Sequence, residues 1–134
     1  MKKMHLKYLL GLFLLATPSW LAAQRVASYR CVPAAIRIYW KAADGQPYAS
    51  FSRLVAAHPK IRFAMNGGMY ARDLSPVGLY VEGGRQLKAI RRVNNPKVNF
   101  GIQPQGIFCI RSGKAFVETL AQFKAKGVTY ATQS

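Results

Sequence analysis

The sequence predicts an α+β domain: a mixed, mostly antiparallel sheet with short flanking helices, apparently incomplete at its C-terminus. Three observations point there. β-rich runs are separated by glycine-containing pairs at Gly83-Gly84 and Ser112-Gly113, which read as hairpin turns. Helical periodicity is confined to two short stretches, near Ser50 and after Thr119. The chain has 134 residues, 51% of them hydrophobic, enough for one domain with a small core and too apolar for a disordered polyelectrolyte.

Residues 1–23 read as an export signal. Lys2, Lys3 and Lys7 form a basic start, Tyr8 to Ala16 an uncharged apolar run, and Ala22-Ala23 a small-residue end. Cleavage is expected after Ala23, with an uncleaved membrane anchor as the alternative. No membrane span is expected after cleavage, and the mature chain is expected to be periplasmic or secreted. That compartment is oxidising. Cys31 and Cys109 form a candidate disulfide, although Cys109 reads equally well as a buried thiol. No metal site and no cofactor are expected.

Removing 1–23 takes three lysines and no acid, leaving 17 Lys and Arg against 4 acids, namely Asp44, Asp73, Glu82 and Glu118. Such a surface attracts anions. The basic residues are scattered, and Arg91-Arg92 is their only adjacent pair in the mature chain, so no dedicated nucleic-acid motif is present.

Along the mature chain, Ile36 to Lys41 alternates aromatic and β-branched residues with basic ones, as a strand would. Phe51, Leu54 and Val55 share a helical face after the N-cap candidate Ser50, and His58-Pro59 ends that helix. Ile61 to Met65 reads as a second strand running into Asn66-Gly67-Gly68. Val77 to Glu82 and Arg85 to Ile90 form the first hairpin, and Val98 to Ile102 reads as a strand edge. Ile107 to Arg111 and Lys114 to Glu118 form the second hairpin. Thr119 to Lys126 reads as a helix with Leu120 and Phe123 inward and Gly127 as its stop. Val128 to Ala131 begins a strand whose partners are expected to lie beyond the chain end.

The sharpest chemical feature is Phe63-Ala64-Met65-Asn66-Gly67-Gly68-Met69-Tyr70. A side-chain amide at a strand end, beside two glycines, suits a sugar hydroxyl or a phosphate oxygen. Asn-Gly also makes plain turns. Asp73 and Glu82 are the acids nearest in sequence to this loop. Each has a bland alternative, an Asx turn for Asp73 and a solvated turn charge for Glu82. Gly78, inside a β-run, suggests close passage of backbone or ligand.

Taken in order, FAMNGGMY, DLSPVGLYVEGGR, NFGIQPQGIFCIRSGKAFV and the terminal ATQS resemble the exported bacterial branch of the phosphodiester glycosidase family, related to the mammalian uncovering enzyme. The resemblance spans Ser28 to Ser134 and identifies 24–134 as the N-terminal part of such a domain. It implies hydrolysis of the bond between a sugar's anomeric carbon and a phosphodiester. Asn66, Gly67, Gly68 and Tyr70 match the family's active-site loop, Ser75 and Gly78 its following strand, and Asn99 and Phe100 a second pocket-forming stretch. Asn66, Asp73 and Glu82 are the catalytic candidates. Gln105 stands where the family commonly has asparagine. Later arginine-containing and aspartate–glycine segments of the family have no counterpart here, so this chain is expected to be a truncated and inactive portion. The expected ligand is a sugar phosphodiester or anionic glycan. The rival reading is a non-catalytic basic module for anionic cell-wall or exopolysaccharide polymers.

Overall fold

A computed structural model describes residues 27–134; the expected export segment, 1–23, and the expected cleavage point after Ala23 lie outside them. Among the described residues no helix is long and apolar enough to cross a membrane. The fold is one five-stranded antiparallel sheet with little helix. The strands are β1 (Tyr80–Glu82), β2 (Arg85–Lys88), β3 (Gly106–Arg111), β4 (Lys114–Thr119) and β5 (Val128–Gln133). They lie in the order β2-β1-β5-β3-β4. The helix α1 covers Phe51–Ala57, and 3₁₀ turns cover Pro33–Ala35 and Asn99–Gly101.

Both hairpins form where the turn chemistry demands. Gly83 and Gly84 have φ of 57° and 79°, the doubly positive pair that a type I′ turn needs. Ser112 and Gly113 do the same between β3 and β4, at 50° and 75°. The first hairpin is shorter than its β-rich sequence. Gly78 at φ 85° breaks the strand before Tyr80, and beyond Lys88 the backbone of Arg91 bonds to a side chain of β5 instead.

β5 is the correction with the widest consequence. Its partners do not lie beyond the chain end: it pairs with β1 through Tyr80–Thr132 and Val81–Ala131, and with β3 from Ile107–Gln133 to Arg111–Val128. It is the central strand. Residues directly opposed across these ladders share a face. One face carries Val81, Ala131, Gln133, Ile107, Cys109 and Phe116. The core forms there, from Leu79, Val81, Ile107, Cys109, Val128 and Ala131, with Ile90, Phe116, Leu120 and Phe123 packed against it.

Four expected elements are absent. Ile36 to Lys41 makes no strand; only Lys41 forms an isolated bridge, with Pro47. The segment instead covers the opposite sheet face, with Arg37 5.7 Å over the Tyr130 ring and Trp40 edge-on to Tyr80 at 6.0 Å. Apolar alternation reports a half-buried chain, whether or not a ladder accompanies it. Ile61 to Met65 is irregular, with Phe63 51% and Met65 69% exposed, and Phe63 stacks on Tyr29. Val98 to Ile102 is not a strand edge but contains the Asn99–Gly101 3₁₀ turn. Thr119 to Lys126 is not a helix. It must carry the chain from edge strand β4 past β3 to central β5, and it does so through turns. Gln122 Oε1 accepts from the N–H and hydroxyl of Thr119, while Leu120 and Phe123 still turn toward the core as expected.

The helix after Ser50 forms as expected. Ser50 Oγ accepts from Arg53 N–H at 3.2 Å, and His58 is the C-cap. Its apolar side stays largely open, with Phe51 and Val55 exposed. Cys31 and Cys109 are not bonded: Cys31 is exposed and Cys109 lies buried on the core face, so both are free thiols.

Candidate functional site

The motif segments meet at the C-terminal end of β5, and Gln133 organises the meeting. Its side chain is fully buried. Its Oε1 accepts from Leu79 N–H at 2.9 Å and Arg91 N–H at 3.1 Å, and its Nε2 donates to Arg91 C=O at 2.6 Å. One carboxamide thus satisfies main-chain groups from two segments that have left their ladders. Gly78 lies against it: a Cβ there would come within 2.5 Å of Gln133 Oε1 and 2.6 Å of Phe100 Cζ. Phe100 is held in its 3₁₀ turn by buried Gln105, whose Nε2 donates to Phe100 C=O and whose Oε1 accepts from Val93 N–H.

The Asn66 loop reaches the same strand end from the other side. A Cβ on Gly68 would collide with Thr132 Oγ1, and one on Gly67 would touch its methyl group. Successive strand side chains alternate faces. Gly67-Gly68 therefore flank β5 on the Thr132 face, and Gly78 and Phe100 flank it on the Gln133 face. Asn66, Tyr70 and Asn99 are exposed beside these contacts. The chain after the glycines folds back on itself. Val77 N–H donates to Met69 C=O and Ala71 N–H to Ser75 C=O, and Tyr70 bridges Pro76.

An open cleft of about 400 Å³ lies beside that fold-back, lined by Ser75, Gly78, Lys88 and Arg91 among others. It gathers Ser75 and Gly78 of the candidate residues and leaves Asn66, Gly67, Gly68, Tyr70, Asn99 and Phe100 outside its lining. A second open cleft of about 460 Å³ is lined by Arg92, Asn94, Gln103, Gln105 and Thr119 among others.

Every carboxylate of the chain is engaged. Asp44 pairs with Arg53 on the surface. Glu118 takes both guanidinium nitrogens of Arg111. This hydrogen bonding lowers the Glu118 pKa and raises that of Arg111. Asp73 Oδ1 accepts from Ser75 N–H at 3.0 Å, closing an Asx turn. Hydrogen bonds from the Ser75 side chain, then its backbone, hold this carboxyl below the usual range. Glu82 accepts from Tyr80 OH at 2.8 Å. Burial, followed by that bond, pushes the Tyr80 hydroxyl far above the ordinary phenolic range. His58 Nε2 meets Tyr48 OH at 2.8 Å under the stacked ring of Tyr39, away from these carboxylates' hydrogen bonds. Among the described residues no cluster of three or more metal-ligating side chains occurs.

The sequence reading named neither Gln133 nor Lys88 as a site residue. A polar triplet Thr132-Gln133-Ser134 ending an apolar β-run was the available sign, because a buried amide at a strand end must bond to main chain.

Among known proteins, the chain is similar to the uncharacterized protein YigE of Escherichia coli (strain K12), 33% identical over 103 residues. The match covers 74% of this chain, which spans 40% of the relative's length. No family model matches, and no solved structure matches.

Proposed function

We propose that this chain is part of an exported phosphodiester glycosidase-like domain and recognises the sugar side and phosphate side of a sugar phosphodiester, without cleaving it alone. One observation carries the reading. Four segments far apart in sequence, around Asn66, Gly78, Phe100 and Gln133, converge on the end of one strand. Gly78 packs against Gln133 and Phe100, and Gly68 against Thr132, so these segments are held close together at the strand end. Asn66 supplies an exposed amide for a sugar hydroxyl.

The test titrates the folded chain with N-acetylglucosamine α-1-(methyl phosphate) by calorimetry and assays released sugar. Binding that weakens at least fivefold in Asn66→Ala, with no sugar released, is expected. No heat of binding at millimolar ligand would end this reading. The rival, a basic module for anionic glycans, is favoured by the 17 Lys and Arg against 4 acids that remain without residues 1–23. It predicts salt-sensitive retention on a polyanion resin that ignores Asn66→Ala.

A further inference from the structure

We propose that the outer edge of β4 pairs with the β4 edge of a second copy of this chain, antiparallel about a twofold axis at Phe116, so that the two sheets become one. The sheet has two edge strands, β2 and β4. β4 is the longer and more regular, running Lys114–Thr119 in unbroken register with β3. The two-residue turn before it makes Arg111–Lys114 a hydrogen-bonded pair, and such pairs recur at every second position. Gly106, at the alternate position of β3, accordingly bonds to Ser134 on the other side. The N–H and C=O groups of Lys114, Phe116 and Glu118 therefore point into the sheet, and those of Ala115, Val117 and Thr119 point away from it. Thr119 bonds onward to Gln122 and Phe123. The outward groups of Ala115 and Val117 have no partner among the described residues. The 3₁₀ turn Pro33–Ala35 comes near β4 but bonds within its own segment, and the Val117 side chain is 81% exposed.

Charge complementarity identifies the occupant. Outward groups must meet outward groups, so a twofold antiparallel pairing centres on Ala115, Phe116 or Val117. Centring on Ala115 sets Lys114 opposite Phe116 and Val117 opposite the turn residue Gly113. Centring on Val117 calls on Thr119, whose outward groups are already bonded. Centring on Phe116 sets Ala115 opposite Val117 twice, so that every outward group of these residues gains a partner and the exposed valine is covered. It also sets Lys114 opposite Glu118 twice. Lys114 is exposed and makes no ion pair among the described residues, where the salt bridges are Arg53–Asp44 and Arg111–Glu118. Glu118 accepts two bonds from Arg111, which leaves its carboxylate capacity for a lysine. Opposite charges directly across an antiparallel pair attract, and like charges repel. β4 is thus self-complementary in a chain that is otherwise strongly basic. β2 is not. It carries Arg85 and Lys88 with no acid, and a bulge interrupts its ladder with β1; both features discourage edge pairing.

Sedimentation velocity of the whole chain, from micromolar to millimolar concentration, reads the association, and amide hydrogen exchange followed in ¹⁵N–¹H correlation spectra locates it. A dimer is expected, with exchange at the Ala115 and Val117 amides slowing as concentration rises. Lys114→Glu sets like charges opposite each other twice and is expected to raise the dimer Kd about tenfold. Arg85→Glu, on the other edge, is expected to leave the Kd within about twofold, as a surface change outside the interface does. Val117→Pro removes outward N–H groups while sparing the ladder to β3, and is expected to give a monomer with native amide dispersion. The wild-type exchange pattern tests the edge without any variant. A monomer at every concentration, or a dimer whose Ala115 and Val117 amides still exchange fast, overturns the proposal. Protection of those amides that does not change with concentration also overturns it, because the chain then covers its own edge. An unchanged Kd in Lys114→Glu overturns the Phe116-centred register.

Discussion

Gln133 holds three bonds to main-chain groups that no strand partner serves. Removing its amide leaves a buried N–H at Leu79 and two groups of Arg91 without partners. Leaving such groups unsatisfied costs more than the bonds contribute when made. Gln133→Leu keeps similar volume and is expected to lose about 2–4 kcal/mol of stability by that principle. For a domain this size a fall in Tm on the order of 10 °C follows. Thermal melts followed by circular dichroism check it; a Tm within 3 °C or so of wild type, small on that scale, would mean that water replaces the amide at no cost. The same residue explains why Gly78 admits no side chain. At φ 85°, with Gln133 and Phe100 both in contact range of a Cβ, it is excluded by backbone and by space at once. Sequence reading marked Gly78 as a place of close approach, and the approaching group is the Gln133 carboxamide and Phe100 ring rather than a ligand alone.

Among the elements, the two hairpins were legible because their information is local. Positive φ at both turn positions is demanded by strand twist, and Gly83-Gly84 supplies it within two residues. A Cβ at Gly83 meets nothing within 4 Å, so only backbone strain opposes substitution. Gly83→Asn is therefore expected to be nearly neutral and Gly83→Val to cost about 1–2 kcal/mol, since asparagine tolerates the left-handed region and a β-branched residue does not. Urea unfolding midpoints of the two variants measure the difference, and equal midpoints would rule out the turn assignment. Helix α1 was legible for the same local reason, through the Ser50 cap. The segment after Thr119 misled because Leu120 and Phe123 do face the core. Helical spacing of two inward residues is also what a pair of consecutive turns produces.

At the scale of the whole molecule, charge is unevenly used. The chain carries +16 formally, with only four acids, and each acid is spent on a local contact. Asp73 and Glu118 have pKa values lowered in the fold by Ser75 and Arg111 respectively. A lowered folded pKa means that the unfolded chain binds more protons through the acid range. Their contribution is complete above the ordinary carboxylate pKa and disappears as pH falls through the lowered folded values. Tm is thus expected to hold steady near neutrality and to decline below about pH 4, where carboxylates titrate. Asp73→Asn should make that decline shallower. An unchanged acid slope in Asp73→Asn would show that the Asx turn opens without cost.

The turns, the single helix cap, the excess of base and the inward pattern of Ile107, Cys109 and Phe116 were set by residues within a few positions of one another. Local sterics and side-chain spacing suffice for such features. That β5 runs through the middle of the sheet, and that Gln133 ties Leu79 to Arg91, came from pairings between residues 17 to 54 positions apart. Those depend on which distant strands bury one another's apolar faces best. That competition is decided by the energy of the assembled core and leaves no periodicity in any one stretch of chain.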